Sequence, residues 1–279
     1  MADDSHSSDR LDATDKSEPE KESHRFGRAA NRLRSLSFNR IFPNILTLLA
    51  LCAGLTAIRY GMSAEWGRAV IALVIAAMLD GVDGRVARLL RSTTKFGAEL
   101  DSLGDAISFG VAPAMLMYQW AMSGAGGIGW ALILLHAVCC VLRLARFNTM
   151  VGQPDLPAWA HNYFTGVPAP GGAGLSIMPL ILWLYTGSDI FAEPVVVGAF
   201  LLVSSVLMVS RVPVYSGKHV RLKPYMVLPL MILIGVTAGF LVTDPFATLS
   251  FVGAAYLASI VASSWSFRRF KSQADKTES

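Results

Sequence analysis

Asp80, Asp83, Asp101 and Asp105 stand out in this 279-residue sequence because each lies within or beside a strongly apolar run. Asp80 and Asp83 are three residues apart, and Asp101 and Asp105 four apart, so on helices each pair shares one face. Carboxylates at membrane depth are costly to maintain and mark function. Four of them ionised together would repel strongly in a low-dielectric site. Cations relieve that repulsion. Oxygen-only ligands suit hard divalent metals, and magnesium commonly shares one or two carboxylates with substrate phosphates. Two such ions would clamp a phosphate and stabilise both its attacking and its leaving oxygens. Ion pairing with Arg85 and Arg88 is the competing explanation, and it accounts for only two of the four aspartates. Gly84, Ala87 and Gly97 lack bulk where two helices and a ligand would meet. Arg88 has the charge and planar fork to pair with phosphate oxygens.

The elements that must carry these residues are membrane spans. Apolar residues make up 53% of the chain and charged residues 16%, against about 25% charged in an ordinary soluble domain. Ala106 to Leu142 holds no charge at all. Soluble enzyme, secreted scaffold and fibrous protein are thereby excluded. Eight segments supply the roughly 20 apolar residues that a bilayer core needs: 43–60, 66–90, 97–121, 127–147, 166–186, 194–213, 224–243 and 245–265. Each should be helical, since lipid offers no partners for open backbone groups. The expected fold is therefore all-α and integral to the membrane, with about eight transmembrane helices. Pro113, Pro179 and Pro229 are expected kinks, and Gly171-Gly172-Ala173-Gly174 a place of close helix approach. The basic turn between the second and third spans folds one against the other, which lets all four carboxylates converge.

Charge placement orients this bundle. In an eight-span arrangement 22 of the 24 Lys and Arg residues fall on one side, leaving only Arg59 and Arg68 on the other. The positive-inside rule puts both termini in the cytoplasm. Tyr60, Trp66, Tyr118, Trp120, Trp130, Trp183 and Tyr185 gather near the opposite boundary. Residues 1–25 contain no Val, Ile, Phe, Tyr or Trp and are expected to be a disordered cytoplasmic tail. Residues 26–42 mix arginines with apolar residues at helical spacing, as in an amphipathic helix lying on an anionic membrane surface. Residues 266–279 form a second cytoplasmic tail. Cys52, Cys139 and Cys140 sit in apolar runs without CxxC spacing and read as packing residues. The five histidines carry no metal signature.

The run Asp80-x2-Asp83-Gly84-x2-Ala87-Arg88-x8-Gly97-x3-Asp101-x3-Asp105 resembles the signature of the CDP-alcohol phosphatidyltransferase family at all eight defining positions. The resemblance implies a catalytic six-helix core over 43–213, with 224–265 as two additional spans. It implies that a CDP-linked lipid is bound by its pyrophosphate through two divalent cations, Mg2+ or Mn2+. A hydroxyl of the second substrate would attack the lipid-side phosphorus, and CMP would leave. By this similarity Asp80, Asp83, Asp101 and Asp105 are metal ligands, and Asp105 is also the base. Gly84, Ala87, Arg88, Thr94 and Gly97 would contact the CDP-alcohol. So would Asn44 and Thr47, in a Pro43-Asn44-Ile-Leu-Thr47 stretch similar to the motif that opens the family's first span.

That signature leaves the acceptor open. Phe96–Ala114, Leu142–Asn148 and Phe164–Pro170 look like the phosphatidylserine synthase branch, which implies CDP-diacylglycerol and serine as substrates. Arg143 and Arg146, three residues apart near the end of the fourth span, would hold a carboxylate, with Asn148 as a polar partner. The competing explanation is that the two arginines are simply topology anchors at the headgroup level. Glycerol-3-phosphate and an inositol phosphate are rival acceptors, because a phosphate also seeks cationic partners. Homodimers are usual among proteins of this kind, and no nucleic acid is implied. A cation-coupled transporter is the alternative from a different class, and it would need acidic or broken-helix features in two related halves. After Asp105 only Asp155, Asp189, Glu193 and Asp244 precede the C-terminal tail, and all four lie in connections.

Overall fold

The computed structural model describes residues 41–90, 94–150, 163–210, 213–215 and 224–275. The tail expected over 1–25, and the interfacial helix expected over 26–42 apart from its last two residues, lie outside these. Helix α1 (Ile41–Met62) is followed by α2 (Trp66–Leu89) and α3 (Lys95–Asp105). From α3 the chain winds on through a π-helical turn (Ala106–Val111), α4 (Ala112–Met117), a second π-helical turn (Tyr118–Met122) and a 3-10 turn (Ser123–Ala125) into α5 (Gly126–Met150). The helical run Lys95–Thr149 counts 55 residues, far more than one bilayer crossing needs. Gly126, at φ 59 and ψ −140, takes a conformation that favours glycine and divides the run. The two halves then pack side by side, with Gly110 against Cys140.

The second half contains α6 (Ala169–Ser176), α7 (Met178–Thr186), α8 (Pro194–Val209), α9 (Pro224–Thr243) and α10 (Pro245–Asp275). Among the described residues two helices are long and apolar enough to cross a membrane by length and composition, or three if the bent α6–α7 pair is one span. The apolar stretches Pro194–Val209, Leu228–Thr243 and Pro245–Ile260 are shorter. At 1.5 Å per residue each reaches roughly 24 Å of a core about 30 Å thick. The all-α expectation holds for the spans, and one small ribbon lies outside them. Tyr163–Thr165 (β1) and Pro213–Tyr215 (β2) pair antiparallel in a small ribbon, with Phe164 opposite Val214. Both strands lie in connections rather than spans, where the backbone can pair outside a helix.

The prolines act differently from one another. Pro179 cannot donate to the carbonyl four residues back, and α6 and α7 meet there at 45°. Pro113 follows the first π-helical turn, whose wider winding accommodates the missing donor, and the Phe109 backbone lies beside His136. At Pro229, where a kink is expected from sequence, α9 runs on unbroken from Pro224 to Thr243.

Lipid tails are as apolar as leucine, so close packing rather than water exclusion joins the helices. Small residues make that packing possible. Gly54 faces Ser108, Gly104 faces Thr47 and Gly97 faces Asn44, so α1 lies tight along α3 and the turn after it. Gly172 admits Met208 of α8, and Gly171 admits Tyr256 of α10. The main buried cluster includes Ala57, Val70, Leu116, Met117, Leu180 and Leu201, drawn from α1, α2, α4, α7 and α8. The aromatic residues pack in two contacts, Tyr118 on Trp130 at 5.3 Å and Trp120 on Trp183 at 5.8 Å between ring centroids. Helix α9 is exposed along almost its whole length, with Val242 87% exposed.

Candidate active site

The last turns of α2 and the body of α3 bring three of the aspartates together. One carboxylate oxygen each from Asp80, Asp101 and Asp105 lies within 4.8 Å of the others, and all three side chains are half-buried. Asp80 and Asp105 face each other across the two helices within that cluster. Two carboxylates approach in this way only when a proton or cation relieves their repulsion. Among the described residues this is the one cluster of acidic, His or Cys groups able to hold a metal ion. Its donors are all oxygens, which fits a hard divalent cation.

Asp83 is placed differently. It is 3% exposed, and its Oδ2 accepts a hydrogen bond from Thr47 Oγ1 at 2.8 Å. The Pro43 carbonyl, at 3.2 Å, is the alternative acceptor for that hydroxyl. Asp83 thus turns toward α1, while Asp80, three residues earlier, turns toward α3. Asp83 and Asp101 nevertheless border one cleft of about 160 Å³, so the fourth carboxylate stays in the same neighbourhood. The ion-pair explanation fails here. Among the described residues none of the four aspartates pairs with an arginine or lysine, and the ion pair present is Glu65–Arg68, at the start of α2.

The cleft is lined by Asn44 and Thr47 from α1, Gly84 and Ala87 from α2, and Thr94 and Gly97 at the start of α3. Six of the seven residues expected at a CDP-alcohol therefore surround one space. Thr94 caps α3 by accepting from the Gly97 N–H at 3.0 Å. A Cβ on Gly97 would come within 2.9 Å of Asn44 Oδ1, so the glycine is what lets α1 and α3 close around the cleft. A Cβ on Gly84 would meet nothing within 4 Å, so that backbone faces open space. Arg88 does not line the cleft. It is exposed one turn further along α2, where its Nε donates to the Gly84 carbonyl at 3.0 Å.

The expected acceptor residues sit near the end of α5. Arg143 donates from Nε to the Val167 carbonyl at 2.8 Å, and Arg146 from Nη1 to the Val209 carbonyl at 3.2 Å. These bonds tie α5 to the segment before α6 and to the end of α8. Arg143 also lies within electrostatic reach of Asp80 and Asp105. Asn148 donates from Nδ2 to Ser102 Oγ at 2.9 Å, beside Asp101. Asn148 thus bonds to the helix that carries Asp101 and Asp105, and Arg143 lies near the carboxylates, whereas Arg146 is tied to the end of α8. His136 is a polar group with no motif in the sequence to single it out. It is fully buried, and its Nδ1 lies 3.0 Å from Ser204 Oγ, joining α5 to α8.

The chain is similar in sequence to known proteins. The family model for CDP-alcohol phosphatidyltransferase matches residues 40–260. The CDP-diacylglycerol–serine O-phosphatidyltransferase of Mycobacterium tuberculosis is 37% identical over 221 residues, covering 79% of this chain and 77% of its own. The protein of the same name from Helicobacter pylori is 34% identical over 218 residues, covering 78% and 88%. The archaetidylserine synthase of Methanothermobacter thermautotrophicus is 33% identical over 178 residues, covering 61% and 67%.

Proposed function

The chain belongs to the CDP-alcohol phosphatidyltransferase family, and from that premise we propose that it transfers the phosphatidyl group of CDP-diacylglycerol to L-serine, giving phosphatidylserine and CMP. The observation that carries this reading is the meeting of Asp80, Asp101 and Asp105 beside a cleft bordered by Asp83 and Asp101. Asp80, Asp101 and Asp105 would hold one divalent cation, and Asp83 with Asp101 a second, Mg2+ or Mn2+ serving in each. Such ions neutralise the pyrophosphate and the charge that develops on its oxygens as the bond to CMP breaks.

The chain's own residues do the rest. Asn44, Thr47, Thr94 and the backbone at Gly84 and Gly97 border the nucleotide, with Ala87 leaving room for it. Arg88 reaches phosphate oxygens from the rim. Thr47 fixes the orientation of Asp83 through its hydrogen bond. The serine hydroxyl forms a new bond to the lipid-side phosphorus, its proton passes to an Asp105 carboxylate oxygen, and CMP departs with the electron pair of the broken P–O bond. Arg143 and Arg146 face the serine carboxylate, and Asn148 supports the same side. The catalytic core is 43–213, with 224–265 as added spans. The site and both termini face the cytoplasm from a bacterial inner membrane, on the strength of the lysine and arginine distribution.

The test is direct. Purified protein in CDP-diacylglycerol vesicles should release CMP only when serine and Mg2+ or Mn2+ are both supplied. Release driven by glycerol-3-phosphate or an inositol phosphate, with none from serine, would move the chain to another branch of the family. Cation flux across the vesicles without lipid turnover would favour a transporter.

A further inference from the structure

Helix α10 reads in sequence as a plain apolar span, yet it brings polar groups inward, Ser250, Ser263 and the hydroxyl of Tyr256. Tyr256 packs with Leu257 around Val167, Leu175 and Ile260. Its hydroxyl is buried and has no hydrogen-bond partner among the described residues. A buried hydroxyl left unsatisfied is destabilising, so its persistence calls for a partner that arrives with the substrate. Two neighbours suggest which one. Gly171 leaves the space that the tyrosine occupies, and a Cβ there would come within 2.9 Å of the ring carbon Cζ and collide with the hydroxyl. Arg143, whose Nε is held by the carbonyl of the same Val167, lies within electrostatic reach of Tyr256 as well as of Asp80 and Asp105. Among the described residues the Nη1 and Nη2 groups of Arg143 have no hydrogen-bond partner.

A phenolic O–H and a guanidinium fork are both donors, and two donors set beside the same Val167 fit an anion. We infer that Tyr256 is an acceptor-binding residue that acts with Arg143 to hold the anionic group of the incoming alcohol, so that α10 completes the acceptor site. This inference rests on the serine reading above and extends it, the anion then being the serine carboxylate. With that group held by Arg143 and Tyr256, the serine hydroxyl remains free to approach Asp105, which shares the neighbourhood of Arg143. Gly171 serves the site by leaving the tyrosine its place.

The experiment compares full-length wild type, Tyr256→Phe and Gly171→Ala in CDP-diacylglycerol vesicles, measuring CMP release against each substrate in turn. Loss of one hydrogen bond to a charged group should raise KM for serine roughly 10- to 100-fold. The KM for CDP-diacylglycerol and the unfolding temperature should stay at wild-type values in Tyr256→Phe. Gly171→Ala, whose methyl displaces the hydroxyl, should shift KM for serine in the same direction. A Tyr256→Phe enzyme with wild-type KM for serine overturns the inference while leaving the serine reading intact. If wild type uses glycerol-3-phosphate instead of serine, the serine reading falls. The same KM ratio measured on that phosphate then decides whether Tyr256 holds the acceptor's anion.

Discussion

The two ends of α2 deal with charge in opposite ways. At its start Glu65 and Arg68 neutralise each other within one turn, on side chains largely open to solvent. At its end Asp80 and Asp83 lie close to Arg85 and Arg88 in sequence, and among the described residues they pair with neither. Arg88 turns back to the Gly84 carbonyl, and Asp83 takes a threonine hydroxyl. A membrane helix that only needed to be stable would use its nearest arginines to neutralise its acids. Withholding them keeps the carboxylates available to something that comes from outside the chain. The lesson is about pairing more than about charge. A surface ion pair contributes little, whereas half-buried acids kept without basic partners are costly and single out a candidate site.

The sharpest way to break this contrast is to remove divalent metal. Chelation should stop CMP release completely and Mg2+ or Mn2+ should restore it, whereas turnover that persists in chelator would mean the acids serve another purpose. Next in size is Asp105→Asn, which should lower turnover by about a thousandfold or more while CDP-diacylglycerol still binds. Activity within tenfold of wild type would remove Asp105 from the role of base. Thr47→Val deletes the hydroxyl that orients Asp83 and should raise the metal concentration needed for half-maximal activity by about 10- to 100-fold. An unchanged metal titration would show that Asp83 needs no such support. At the far end of α2, Glu65→Gln should change stability by only about 0.2–1 kcal/mol and leave turnover within twofold. A large loss there would erase the distinction between the two ends.

The carboxylate site was legible because its chemistry dictates residue types at fixed helical spacing, and Asp80, Asp101 and Asp105 do meet as that spacing suggests. The cleft residues were legible through resemblance to the family, and Asn44 and Thr47 reach it from a separate helix. The different orientation of Asp83 was not legible. Residues three apart share a helix face, but which neighbour each one meets depends on where α1 lies, and Gly97 and Gly104 decide that. Tyr256 was hidden for a related reason. One tyrosine in an apolar span looks like packing until the helices around it are in place. Apolar run length located most helix starts to within a few residues, but α8 stops at Val209 short of the expected 213, α10 runs on to Asp275, and the two π-helical turns had no marker beyond the proline after the first. Winding of that kind is settled by neighbours such as Cys140 rather than by local propensity.

The first wide turn, directly after Asp105, has a consequence for how this molecule tolerates change. Because winding changes there, the stretch up to Asp105 and the stretch beyond it are rotated independently about a common axis. The earlier part aims its acids at α2, and the later part seats Gly110 on Cys140. Shortening the turn by a single residue would swing the outer half away from α5, yet the carboxylates would keep their bearing. One continuous rod is thus built of two pieces that meet different neighbours, its acids turned to α2 and Gly110 seated on α5.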